Sequence, residues 1–117
     1  MKVAADFLIA FVALQHLGFL VLEMFLWTRP TGRRVFRLEA GFAEQSRALA
    51  ANQGLYNGFL VAGLVWGLLL GAAGQPQKAF FLGCVVIAGI FGGATVSWRI
   101  LLVQAVPAAL ALALLLI

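Results

Sequence analysis

The chain has 117 residues, enough for one domain, and is 64% hydrophobic and only 10% charged, with a mean hydropathy of +1.07. Soluble domains carry roughly 25% charged residues, so this surface has too few polar groups for water and must face lipid. The eight Lys/Arg exceed the four Asp/Glu and gather near the ends of apolar runs, which fits membrane topology and anionic lipid and excludes nucleic-acid binding.

The first apolar stretch runs from about Val3 to Trp27. Its start, Met1-Lys2-Val3, imitates a signal peptide, but Leu22-Glu23-Met24-Phe25-Leu26-Trp27 leaves no small-residue cleavage site. A retained first helix is expected. The long connection from Thr28 to Ala51 opens on the helix breakers Arg29-Pro30-Thr31-Gly32. At about 100° per residue, Val35, Leu38, Phe42 and Leu49 fall in a sector of about 60°, with Arg33, Arg37, Glu44 and Arg47 roughly opposite. An apolar stripe with a basic far side predicts a helix lying on the membrane surface; the alternative is a cytosolic helix packed on the bundle ends.

The second stretch runs from about Asn52 to Ala73, the third from about Ala79 to Val96, and the fourth from Ile100 to Ile117. Gly74-Gln75-Pro76-Gln77-Lys78 reads as a short turn, with Pro76 able to open the third helix. Ser97-Trp98-Arg99 is shorter still and predicts a tight hairpin of helices three and four. Crossing a bilayer takes roughly 17–25 helical residues, and all four stretches qualify. Runs such as Phe59-Leu60-Val61-Ala62-Gly63-Leu64 lack the alternation of a membrane barrel. The expected fold is an all-α membrane protein, one domain over residues 1–117. It consists of four transmembrane helices in a compact bundle, plus a short cytoplasmic interfacial helix between helices one and two.

Charge sets the orientation. Arg29, Arg33, Arg34, Arg37, Arg47 and Arg99 fall on one side of such a bundle, and Lys2 and Lys78 on the other. The positive-inside rule places both termini outside the cytoplasm of a bacterial inner membrane, with Trp27 and Trp98 at the cytoplasmic boundary.

Burial of apolar surface cannot drive helix association in lipid; close packing and polar contacts must. Gly54, Gly58, Gly63, Gly67 and Gly71 recur at small-residue spacing on the second helix, and Gly89 and Gly93 on the third. These stripes fit internal packing, or a homodimer interface.

Polar side chains inside the hydrocarbon are costly and face a bundle interior or a wet cavity. On the first helix, His16 and Glu23 lie two turns apart on nearly one face, roughly 10 Å along the axis. Asn52, Gln53, Tyr56 and Asn57 form two i,i+4 pairs on the second helix, and Gln104 lies one turn inside Arg99 on the fourth. By depth these seven residues converge on the cytoplasmic half, predicting a polar ligand pocket with Pro107 loosening the helix beside it. The competing interpretation is helix-locking hydrogen bonds, with Glu23 snorkelling or pairing with Arg29, Arg33 or Arg34. Asp6, near the outer end, reads as a solvated end residue.

One histidine and one cysteine, Cys84, make no zinc or haem site, and no cofactor motif is present. The segments Leu14-Gln15-His16-Leu17-Gly18-Phe19 with Leu22-Glu23-Met24-Phe25-Leu26-Trp27, Asn52-Gln53-Gly54-Leu55-Tyr56-Asn57-Gly58-Phe59-Leu60, and Val103-Gln104-Ala105-Val106-Pro107-Ala108 together resemble a family of small bacterial membrane proteins. That family is known as domain of unknown function thirteen hundred and four. The resemblance implies a four-helix inner-membrane protein and brings no activity with it. Three functions stay open: binding or transport of a small polar or amphipathic molecule or a proton; a small enzyme acting on a lipid or quinone-like substrate; or a structural subunit.

Overall fold

The computed structural model describes residues 1–117, which are helical nearly throughout and contain no strand. Seven α-helices follow one another: α1 (Lys2–Met24), α2 (Pro30–Phe36), α3 (Ala40–Gln45), α4 (Arg47–Leu69), α5 (Gln75–Thr95), α6 (Trp98–Ile100) and α7 (Val106–Leu116). A 3-10 turn over Gly71–Gly74 precedes α5, and a π turn over Leu101–Ala105 joins α6 to α7. The chain forms two compact units, one of Met1–Leu14 with Ala62–Ile117 and one of Gln15–Val61.

In the first unit, Pro76 lies in the opening turn of α5, where its missing N–H leaves no helical bond unmade. The buried faces follow helical spacing: Ala5, Ile9 and Val12 on α1, Leu82, Val85 and Gly89 on α5, and Ala108, Ala111 and Leu115 on α7. Glycines set the helix separations. A Cβ on Gly89 would lie 2.7 Å from both the backbone nitrogen and Cβ of Ala105, and one on Gly93 would lie 2.7 Å from Leu101 Cβ. This close approach makes the tight α5–α7 hairpin expected from the short Ser97 connection. In the π turn, the Val106 N–H bonds to the Leu101 carbonyl, one residue further back than in an α-helix. Pro107, with no N–H of its own, follows directly at the head of α7.

The second unit holds the end of α1, the two short helices and the beginning of α4. One surface helix carrying Val35, Leu38, Phe42 and Leu49 was expected between the long helices; instead the segment breaks twice. Arg37 takes a left-handed conformation (φ 55°, ψ 51°) and ends α2, and the Leu38 N–H bonds back to the Arg33 carbonyl at 2.9 Å. That is a Schellman-type stop, and it is unusual because glycine normally occupies its left-handed position. Ser46 ends α3 with its hydroxyl donating to the Phe42 carbonyl at 2.7 Å, and the next residue begins α4. Leu49 therefore belongs to α4. The indole N–H of Trp27 donates to Ser46 Oγ at 3.0 Å, and its ring packs 5.0 Å from that of Phe36. Gly32 lets α2 press on the preceding loop, since a Cβ there would meet the Leu26 carbonyl oxygen at 1.9 Å.

Three helical stretches are long and apolar enough to cross a membrane: Lys2–Met24, Gly71–Thr95 and Trp98–Leu116. α4 matches them in length, but Arg47, Asn52, Gln53, Tyr56 and Asn57 make its first half polar. Phe7, Leu14, Ile87 and Phe91 are each at least two-thirds exposed. Large apolar side chains exposed on several helices are what a protein surrounded by lipid presents.

Candidate functional site

In the Gln15–Val61 unit two of the expected site residues meet directly. Asn57 Nδ2 donates to Glu23 Oε1 at 2.6 Å, joining α1 to α4. Two glycines make the contact possible. A Cβ on Gly54 would strike Met24 Cγ at 2.6 Å and Glu23 Cβ at 3.1 Å, and one on Gly58 would meet Leu20 Cδ1 at 2.9 Å. With only hydrogens there, the backbones approach closely enough for a short amide to reach a carboxyl across the helix pair. Ala50, Gly54 and Asn57 form the buried stripe of this half of α4, so the amide sits on the packed face and is only 5% exposed.

The other expected site residues occupy different environments. His16 is fully buried, its ring edge-on to Phe19 with centroids 5.2 Å apart. Asn52, Gln53 and Tyr56 are exposed, and Tyr56 lies against Phe59 at 5.9 Å. Gln104 belongs to the other unit, half-buried within the π turn. Glu23 is half-buried and bonded to Asn57, and it forms no ion pair with Arg29, Arg33 or Arg34. Chemically the pair offers one carboxyl, held by one amide and able to take a proton, a cation or a hydrogen-bond donor on its second oxygen. A side-chain hydrogen bond of this kind contributes about 0.5–1.5 kcal/mol.

A second polar cluster went unforeseen, in the unit formed by the two ends of the chain. Asp6, read as a solvated end residue, keeps a side chain 43% exposed but is also paired: its Oδ1 accepts from Lys78 Nζ at 2.9 Å. Lys78 lies inside the first turns of α5, not in a connecting turn, and is 4% exposed. It also donates to the Gly71 carbonyl at 3.1 Å. Lys2 Nζ donates to the Leu115 carbonyl and, at 3.5 Å, to Gln75 Oε1. One signal was available: Asp6 and Lys78 each place a charge near an apolar run, and such charges are stable there mainly as pairs.

These features define a helical protein with three apolar spans and a carboxyl–amide pair between two helices. The chain belongs to the family described as protein of unknown function (DUF1304), whose sequence profile matches residues 10–116. It is 31% identical over 103 residues to the uncharacterized protein YpaA of Lactococcus lactis subsp. lactis (strain IL1403), covering 86% of this chain and 87% of that one. No solved structure matches.

Proposed function

We propose that the protein is a multi-pass protein of the bacterial inner membrane that binds or transports a small polar or amphipathic molecule, or a proton, at Glu23 and Asn57. α4 then serves as a fourth span, its polar first half turned to the site and the bundle interior instead of to lipid. Both chain ends lie outside, and the arginine-rich α2–α3 segment lies on the cytoplasmic face, with the exposed Val35 and Phe42 dipping into the lipid boundary.

The observation that carries this reading is the Glu23–Asn57 bond. A carboxyl in a membrane-spanning helix is expensive to keep there, and its partner supplies one donor where a carboxylate can take several. A helix-locking contact needs no ionisable group, since an amide pair would serve. His16, buried two turns earlier on α1, adds a second titratable group to the same helix.

Native mass spectrometry of the protein extracted from its own membrane tests this. Wild type should carry an adduct that Glu23→Gln loses while its thermal unfolding stays cooperative. No adduct, or one that Glu23→Gln retains, contradicts binding of a molecule here; a proton as cargo would show instead as an infrared carboxyl band that titrates with pH and vanishes in Glu23→Gln.

A further inference from the structure

The cluster around Lys78 has the makings of a separate site, in the unit formed by the chain ends. The start of α1, the 3-10 turn, the start of α5 and the end of α7 together enclose a cavity of about 160 Å³. Its polar lining comes from Lys2, Asp6, Gln75 and Lys78. Two ammonium groups therefore face one carboxylate. Lys78, its side chain 5% exposed, spends its charge on Asp6, 2.9 Å away. Lys2 bonds to the Leu115 carbonyl and the Gln75 side chain, both neutral. The cavity thus has one more basic than acidic side chain, with the excess carried by Lys2 at its solvent-exposed rim and Lys78 buried beneath.

We propose that this cavity binds a phosphate group of single negative charge: the phosphodiester of an anionic lipid, or inorganic phosphate. Charge balance selects a monoanion, because two lysines less one aspartate leave +1. Lys2, Lys78 and the Gln75 amide provide separate donors that can each take a different oxygen, as a tetrahedral anion requires. Position fits this chemistry, since these residues lie near the ends of helices apolar enough to cross a membrane, where a bilayer would present its phosphates. Asp6 competes with the ligand for Lys78 and so tunes the affinity.

The test is native mass spectrometry of the full chain in a non-ionic detergent. The protein is titrated separately with phosphatidylglycerol, with inorganic phosphate and with uncharged diacylglycerol. Wild type should retain phosphatidylglycerol or phosphate, and not diacylglycerol. Lys2→Gln, a substitution at the rim, should weaken that retention about tenfold or more. Asp6→Asn should strengthen it. Retention of the lipid alone assigns the site to a headgroup, and retention of both ligands assigns it to phosphate from either source. Failure of both ligands to bind overturns the proposal, and so does binding that Lys2→Gln leaves unchanged, because the arginines of α2 would then account for it.

Discussion

Asn57 donates its side-chain amide to the Glu23 carboxyl at 2.6 Å, and in the first half of α4 the other buried residues are Ala50 and Gly54. The two members of this pair should respond differently to substitution. Asn57→Leu leaves a half-buried carboxyl without its donor, and should lower stability in detergent by about 1–3 kcal/mol. Glu23→Gln retains an acceptor for Asn57 and should change stability by less than about 1 kcal/mol. Thermal unfolding of the two variants side by side checks this, and equal losses would show that the charge itself holds the helices.

Two glycines on α5 form a matched pair. A Cβ on Gly89 would lie 2.7 Å from the Ala105 backbone nitrogen, whereas Gly83 has no heavy atom within 4 Å of that point. Gly89→Ala should force the α5–α7 hairpin apart and cost about 1–3 kcal/mol. Gly83→Ala should be neutral or stabilising by up to about 1 kcal/mol, because alanine is the better helix former. Urea or thermal midpoints of the two variants give the comparison.

Arg37 occupies the left-handed region at the end of α2, where an L side chain is strained. It is solvent-exposed, so little packing depends on the side chain. Arg37→Gly should therefore raise stability by about 0.5–1 kcal/mol, despite the greater backbone freedom of glycine when unfolded. A lower melting temperature would mean that the guanidinium makes a contact outweighing the strain.

The orientation has its own test. In a Cys84→Ala background, a cysteine placed at Gly41, an exposed position in α3, should resist a membrane-impermeant thiol reagent in intact cells. It should react after permeabilisation. Labelling in intact cells would invert the topology.

The sequence made the helices legible because apolar runs of bilayer length have few other structures open to them. Pro76 at the head of α5 and the sharp reversal at Ser97 were readable for the same local reasons. The break at Arg37 was not, since a left-handed stop is signalled by glycine or asparagine and here falls on arginine. Nor was the role of Asp6, whose partner Lys78 lies 72 residues away and reaches it only through tertiary packing. Polarity alone singled out Asn52, Gln53, Tyr56 and Asn57 together. The buried stripe of Ala50 and Gly54 picks Asn57 from that set, because small residues mark the face that another helix approaches.

The most direct measurement is an experimental density map of the protein purified from its own membrane, read at the second oxygen of the Glu23 carboxyl. Ordered non-protein density within hydrogen-bond distance of that oxygen, with Asn57 still donating to the first, is the expected result. A dry carboxyl whose contacts are all protein side chains would contradict a binding role and leave Glu23 and Asn57 as a lock between two helices.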